Sequence, residues 1–166
     1  MPGTSTLLPA LAWWKRALIA VGPVLFASLL GQLATYPNIG TWYAGLAKPT
    51  FNPPNWVFAP VWTTIYLLMA FAVWRILRAP ADEAQRWRAL GLFLVTLAVN
   101  AAWSWMFFAA HSPALGLVNI IPQLALIALT NTRFRRIDPI AGAALLPLLL
   151  WVGYATLLNL AIWRLN

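Results

Sequence analysis

The sequence of 166 residues contains no cysteine and very few acidic residues, and both deficits narrow its chemistry. Without cysteine, the chain has no disulfides and no thiolate ligands for metals. Charged residues make up 8% of the chain, whereas a soluble domain has about 25%. No P-loop, GxGxxG run or nucleophile elbow is present, so no motif indicates nucleotide binding or hydrolysis. The shortage of charge predicts a protein that lies within a lipid bilayer.

The chain is rich in long apolar runs. Hydrophobic residues make up 62% of it, and its mean hydropathy is +0.75. A helix that crosses a bilayer needs roughly 20 mainly apolar residues. We therefore predict an all-α integral membrane protein, a five-transmembrane-helix bundle forming one domain over residues 1–166, with a long lid loop at 37–56. The predicted spans are 17–35, 57–74, 90–110, 114–132 and 140–163.

Basic residues predict how these spans are oriented. Lys and Arg accumulate in the cytoplasmic loops of membrane proteins, and an N-terminus in the cytoplasm places most of them there. We therefore expect a multi-pass protein of the bacterial inner membrane with a cytoplasmic N-terminus and with the C-terminus and lid loop outside. We expect no cleavable signal peptide. The inside set is Lys15, Arg16, Arg75, Arg78, Arg86, Arg88, Arg133, Arg135 and Arg136, and the outside set is Lys48 and Arg164.

The formal net charge of +8 does not indicate a nucleic-acid partner, because the basic residues flank apolar spans instead of forming a stripe on a soluble domain. No Asp, Glu, Lys or Arg falls deep within a predicted span. Pumps coupled to protons or ions need such groups at depth, so we expect no ion-coupled carrier. His111 is the only histidine and has no companion ligand nearby, so we expect no metal site.

The segment from Trp42 to Tyr66 combines tryptophans, tyrosines and prolines around the single lysine Lys48. Prolines stiffen a loop and aromatic rings give it broad flat surfaces. A simple connection between two spans does not need this composition. It predicts a rigid lid over a binding cavity.

Aromatic and amide side chains recur at helical spacing on three spans. Such residues lie on one helical face, and inward-facing rings with a few polar groups are typical of a site for an apolar, planar ligand. The alternative interpretation is that these faces only pack helices together. The faces are Trp62, Tyr66 and Met69 on the second span, Asn100, Trp103, Ser104 and Phe107 on the third, and Pro147, Trp151, Tyr154, Ala155 and Leu158 on the fifth.

Other features of the spans indicate structure instead of a site. On the fourth span, Asn119, Gln123 and Thr130 are interpreted as interhelical hydrogen-bonding residues, or as backbone partners near a proline. Pro147 predicts a kink in the fifth span. A strip of small residues on the third span, Ala98, Ala102 and Ala109, predicts close helix contact, either within the bundle or across a homodimer.

Three motifs in the same order resemble the TspO family, the tryptophan-rich sensory proteins related to translocator protein (the peripheral-type benzodiazepine receptor). They are Trp42-Tyr43 through Lys48-Pro49, Pro53-Pro54, Trp62 and Tyr66; then Asn100, Trp103-Ser104 and Phe107-Phe108; then Pro147, Trp151, Tyr154-Ala155 and Leu158-Asn159. The resemblance covers nearly the whole chain and implies five spans and a homodimer. It also implies a pocket beneath the first loop for porphyrins (protoporphyrin IX or haem) as ligands, with no obligate cofactor.

The resemblance also implies which residues bind the ligand. Together with Phe107 from the third-span face, the expected ligand-binding residues are Trp42, Tyr43, Pro53, Trp62, Tyr66, Asn100, Trp103, Trp151 and Ala155. Two departures are visible. Asn119 stands where many members carry an acid, and Arg164 lies too far from Val152 and Tyr154 to complete a cholesterol-recognition pattern.

Three functions remain open at this point. The first is a membrane receptor or transport-type protein that binds porphyrins and other hydrophobic ligands and regulates tetrapyrrole or stress responses. The second, implied by the resemblance, is a light-dependent porphyrin-degrading enzyme. No catalytic residue is assigned, and Trp42 and Trp151 are the candidates if it is an enzyme. The third is a protein that binds sterols or membrane lipids.

Overall fold

The computed structural model describes residues 12–166, and the regular structure in that range is helical. Five stretches are long and apolar enough to cross a membrane, which confirms the predicted all-α, five-span bundle. Residues 1–11 of the predicted single domain lie outside the described range. The helices are α1 (Trp13–Ile39), α2 (Trp42–Gly45), α3 (Asn55–Arg78), α4 (Glu83–Ser104), followed directly by a π-helical turn (Trp105–Ala109), α5 (Pro113–Ile137), α6 (Pro139–Ala144) and α7 (Leu146–Leu165).

Each spanning helix is longer than the apolar segment that predicted it. The 27 residues of α1 extend over about 40 Å at 1.5 Å per residue, and a bilayer core is about 30 Å thick. Near the lid, Asn38 Nδ2 donates to the Ala34 carbonyl at 2.8 Å, so a polar side chain prolongs the helix after the apolar run ends. The prediction of a lid loop at 37–56 is therefore wrong in its limits, because α1 continues to Ile39 and the lid spans 40–54.

Short capping sequences start three of the later helices. The side chains of Asp82, Ser112 and Asp138 accept hydrogen bonds from backbone N–H groups in the first turns of α4, α5 and α6. These side chains replace partners that the first turn of a helix otherwise lacks. Pro113 and Pro139 open α5 and α6, where a missing N–H removes no intrahelical bond. Such sharp starts keep the connections between these spans short.

The fifth span is broken where the sequence predicts a kink. The helix α6 ends at Ala144, Leu145 forms a turn, and α7 begins at Leu146. Pro147 has no N–H to donate to the carbonyl one turn earlier, so the helical ladder is interrupted here. The predicted distortion at Pro147 is confirmed, and it lies one turn from Trp151.

The half of the bundle farther from the lid is filled by side chains. Met69, Ile76, Ile127 and Phe134 are fully buried there. The rings of Phe93 and Phe134 pack with their centroids 5.8 Å apart. This packed half belongs to one continuous apolar core that fixes the helices relative to one another. The lid half can remain open because the other half holds the bundle together.

Polar contacts add specific links to this packed half. The hydroxyls of Thr96 and Thr130 lie 2.8 Å apart and join α4 to α5, so the predicted interhelical role of Thr130 is correct. Arg75 on α3 forms an ion pair with Asp138 at 2.8 Å. The hydrogen bond from Arg75 holds the pKa of the Asp138 carboxyl below its usual value, although burial acts in the opposite direction.

Candidate ligand cavity

A cavity of about 350 Å³ lies in the half of the bundle beneath the lid, between α1, α3, α4, α5 and α7. The structure brings most of the predicted ligand-binding residues to its wall. Trp42 and Pro53 are the exceptions, since neither is among the residues that line it. The predicted residues that do line it are Tyr43, Trp62, Tyr66, Asn100, Trp103, Phe107, Trp151 and Ala155.

Stacked aromatic pairs give the cavity flat walls. On α3, the rings of Trp62 and Tyr66 stack with centroids 5.4 Å apart. Where α4 meets the π-helical turn, the rings of Trp103 and Phe107 stack at 4.9 Å with an interplanar angle of 18°. Trp151 on α7 adds a third aromatic surface. Flat, apolar walls of this kind accommodate planar hydrophobic molecules by stacking and area burial.

The π-helical turn shapes the lid end of this wall. Its wider ladder is visible in the bond from Ala110 N to Trp105 O at 2.8 Å, five residues back. Both Phe107 and Phe108 line the cavity, whereas Trp105 is directed outwards and donates from Nε1 to the Leu30 carbonyl at 3.1 Å. The turn thus presents two neighbouring rings to the cavity and anchors the span to α1.

Asn159 holds the Trp103 ring in place. Its Oδ1 accepts from Trp103 Nε1 at 3.2 Å, and its Nδ2 donates to the Pro113 carbonyl at 2.7 Å. Asn159 is 2% exposed, so both groups of its amide are used within the protein. This residue joins α7, α4 and the start of α5 at the cavity wall. Its role here is to position an aromatic ring.

Gln123 corrects one sequence interpretation. It lines the cavity with 1% of its surface exposed, and its Oε1 has no hydrogen-bond partner among the described residues. The interhelical role expected for it, which is correct for Thr130, is therefore wrong for this oxygen. Both residues share a face of α5, but Thr130 lies where α4 and α5 touch, and Gln123 lies where the helices surround open space. The Oδ1 of Asn119 likewise has no partner among these residues.

The first span contributes a cavity face that the sequence interpretation missed. Its residues are spaced by 0, 3, 4 and 7, the same spacing that revealed the faces on the other spans. The signal was present but consisted of small and polar residues, which resemble a helix-packing strip. Gln32 Nε2 donates to Ser28 Oγ at 3.0 Å within this face. The four residues are Ser28, Gly31, Gln32 and Thr35.

Two hydrogen bonds hold the lid in place, one within the lid and one from α7. Tyr43 donates from its hydroxyl to Asn52 Oδ1 at 3.0 Å. Tyr154 on α7 donates to the Phe51 carbonyl at 2.6 Å. Burial raises the pKa of the Tyr43 phenol, more than the bond to Asn52 lowers it, so the phenol keeps its proton at neutral pH and remains a donor. The lid is thus tied down, as its prolines and rings predict.

Trp42 lies behind the cavity wall. Its ring stacks on His111 with centroids 4.9 Å apart, and its edge meets the Phe107 ring at 5.4 Å. His111 Nε2 lies 2.7 Å from Asn38 Oδ1 at the end of α1. Phe107 therefore separates Trp42 from the open space. Trp42 supports the wall, and His111 joins the loop after α4 to α1 and the lid.

The cavity is electrically neutral. The residues that line it, all within the described range, include no Asp, Glu, Lys or Arg. Lys48 lies on the lid instead, with its Nζ 4.6 Å from the centre of the Tyr43 ring and 3.1 Å from the Leu46 carbonyl. Charged groups are costly inside a bilayer unless they are paired. The interior therefore favours uncharged parts of a ligand.

A five-span helical bundle with a neutral, aromatic-walled cavity under a tied lid defines a multi-pass membrane protein. Comparison with known proteins makes this specific. The profile of the TspO/MBR family matches residues 19–164, and the chain belongs to this family.

Named relatives include proteins from an animal, a bacterium and an archaeon. The chain is 37% identical over 155 residues to the translocator protein of Sus scrofa, covering 90% of each chain. It is 34% identical over 148 residues to the tryptophan-rich protein TspO of Chlorobaculum tepidum, covering 89% of this chain and 94% of that one. It is 37% identical over 154 residues to the protein of the same name from Archaeoglobus fulgidus, covering 91% and 97%. The similarity thus extends over the lid and all five spans.

Proposed function

We propose that the chain binds porphyrins, either protoporphyrin IX or haem, in the cavity beneath the lid. The observation that carries the proposal is the pair of stacked aromatic surfaces, Trp62 on Tyr66 and Trp103 on Phe107, at the wall of one neutral cavity. A porphyrin is planar and mainly apolar, so stacking on such surfaces supplies both area burial and a preferred orientation. The protein's regulatory role in tetrapyrrole or stress responses would follow from its control of how much tetrapyrrole is available in the membrane.

The charge distribution predicts how the macrocycle is oriented. Porphyrin propionates are anionic, and no basic side chain lines the cavity to neutralise them. Burying an unpaired carboxylate is strongly unfavourable. The propionates therefore remain at the lid end, where headgroups, water and Lys48 are available, and the apolar edge of the ring enters first.

Cavity size supports the same orientation. A volume of about 350 Å³ is at the small end of the range of roughly 300–1,000 Å³ for ligand sites. A tetrapyrrole with its substituents is a large ligand for such a space. We infer that part of the macrocycle projects towards the lid, and that the lid side chains adjust around it.

A titration with protoporphyrin IX tests the proposal. Trp151→Ala removes a ring from the cavity wall, and the matched control Trp163→Ala removes a ring on the same helix that is half exposed and does not line the cavity. We expect saturable porphyrin binding by the wild type and the control. We expect affinity to fall about tenfold or more in Trp151→Ala, because stacking and area burial are both lost.

Porphyrin absorbance should report the titration, because removing a tryptophan changes intrinsic fluorescence by itself. If binding is unsaturable, or if both variants bind as the wild type does, the cavity is not the porphyrin site. A sterol or another membrane lipid would then be the ligand to test, since the walls are as apolar as such molecules require.

Light-dependent degradation of a bound porphyrin is the second candidate function. The observation that favours it is the position of Trp151, an oxidisable ring at the cavity wall. Trp42, the other candidate, is separated from the cavity by Phe107 and meets that ring edge-on at 5.4 Å. If the chain is an enzyme, Trp151 is therefore the better placed of the two.

A further inference from the structure

Gln123 lines the cavity with a buried oxygen that has no hydrogen-bond partner among the described residues. It lies on α5 with 1% of its surface exposed, and the unpaired oxygen is Oε1. Buried polar groups in proteins are almost always hydrogen-bonded, so an exception needs an explanation. A low-dielectric setting makes an unpaired acceptor especially costly. A ligand that brings a donor would remove this cost.

Two other amides of the cavity show what a purely structural role looks like. Asn159 uses its Oδ1 for Trp103 and its Nδ2 for the Pro113 carbonyl. Gln32 donates to Ser28. These residues complete contacts between or within helices. The carbonyl oxygen of Gln123 completes none, unlike that of Asn159, and Gln123 is buried whereas Gln32 is exposed.

A second amide lies at a similar depth. The contact between Thr96 and Thr130 fixes the level at which α4 and α5 meet. From that level towards the lid, Asn100 is four residues along α4 and Gln123 is seven residues along α5, which correspond to about 6 Å and about 10 Å. Asn100 also lines the cavity. Two amides thus lie within about one helical turn of each other in depth, in a wall otherwise formed mainly by rings and aliphatic groups.

We propose that Gln123 accepts a hydrogen bond from a neutral N–H donor on the ligand, and that this residue selects planar ligands with a cyclic amide. A primary amide pairs with a cyclic amide through two bonds, since each partner offers one N–H and one carbonyl oxygen. No cation or anion lines the cavity, so a neutral group suits the site better than a charged one. The proposal rests on the use of the cavity as a ligand site, and it does not require that ligand to be a porphyrin.

The test uses two planar probes that differ in one donor, quinolin-2(1H)-one and its N-methyl derivative. Binding to the full chain in detergent is measured by isothermal titration calorimetry, with protein-free micelles as the blank. We expect the wild type to bind the N–H form at least about tenfold more tightly, because the methylated form leaves Gln123 unpaired. The wild-type comparison needs no variant, so a folding defect cannot obscure it.

Two variants test whether the preference for the N–H probe arises at Gln123. Gln123→Met keeps a similar side-chain length without hydrogen-bonding groups, and it should bind both probes with nearly equal affinity. Asn119→Leu is the matched control, because Asn119 lies one turn away on α5, is buried with its own Oδ1 unpaired among the described residues, and does not line the cavity. This control should retain the wild-type preference.

Three results would overturn the proposal. They are equal wild-type affinity for the two probes, a preference that survives in Gln123→Met, and no binding of either probe by the wild type. Any of them would mean that the Gln123 oxygen is satisfied by water or serves no ligand. Titration with protoporphyrin IX runs in parallel, so failure of the amide selectivity is distinguished from failure of porphyrin binding.

Discussion

Gly116 on α5 packs against two residues of the cavity wall, Asn159 and Phe107, and adding one methyl group there should be costly. A Cβ at this position would lie 2.5 Å from Asn159 Oδ1 and 2.9 Å from Phe107 Cδ2. Neither neighbour is free to move. Asn159 is held by two hydrogen bonds, and Phe107 is stacked on Trp103. Gly116→Ala should therefore displace the residues that position the aromatic wall.

The expected change in the folding stability of Gly116→Ala is the sum of three terms. Overpacking a filled site costs about 1–3 kcal/mol. Loss of the bond between Trp103 and Asn159 costs about 1 kcal/mol. The greater helix propensity of alanine returns about 1 kcal/mol. The last two nearly cancel, which leaves a net loss of about 1–3 kcal/mol and a melting temperature lower by about 2–12 °C.

Gly153→Ala is the matched control, because Gly153 lies within α7 and, apart from the adjacent residues and the backbone of its own helix, a Cβ there would have no atom within 4 Å. Only the propensity term applies, so this variant should be as stable as the wild type or about 1 kcal/mol more stable. Thermal unfolding in detergent measures both, and porphyrin titration should show weaker binding for Gly116→Ala alone. If Gly116→Ala melts at or above the temperature of Gly153→Ala, the close packing at the wall is refuted.

Three further predictions concern the packed half, the chemistry and the assembly. Asp138→Asn should lower stability at pH 7 by roughly 1 kcal/mol. The pKa of Asp138 is depressed in the folded chain, so the carboxylate's contribution to folding stability is present above the usual Asp range and is lost as pH falls through the lowered pKa. The stability of Asp138→Asn should therefore fall less steeply with decreasing pH than that of the wild type. Parallel acid-unfolding profiles for the two proteins would contradict this. If porphyrin is degraded in light, Trp151→Phe should slow product formation more than Trp42→Phe does, with dark samples as the control, and the reverse order would exclude Trp151 as the reacting ring. Ala98 is exposed on α4, so Ala98→Trp should convert a homodimer into a monomer by light scattering in detergent, and an unchanged mass would place any dimer contact elsewhere.

Sequence patterns predicted the helices better than their ends. Apolar runs and helical periodicity identify five spans because the bilayer imposes both. They do not mark where a helix stops, because bonds such as the one from Asn38 to Ala34 continue α1 after the apolar residues run out. Likewise, nothing in the sequence marks the π-helical turn that brings Phe108 to the cavity beside Phe107.

The candidate site was predictable where its residues are large and distinctive. Trp62, Trp103 and Trp151 were found because rings inside spans are conspicuous at helical spacing. Gln123 was misinterpreted because an amide looks the same from sequence whether it faces a helix or a void. The ring of Trp42 was expected in the pocket, but lid composition alone cannot determine which side of Phe107 it occupies.

One consequence of the open half beneath the lid concerns how ligands can be found. The cavity is bordered by α1, α2, α3, α4, α5 and α7 together, so any occupant bridges parts of the chain that unfolding must separate. By mass action, free ligand at 100 times its Kd adds about 2.7 kcal/mol to the stability of the folded chain. The melting curve therefore serves as a screen that works for ligands of any chemical class. A compound that raises the melting temperature of the wild type, but not that of Trp151→Ala, would be assigned to this cavity.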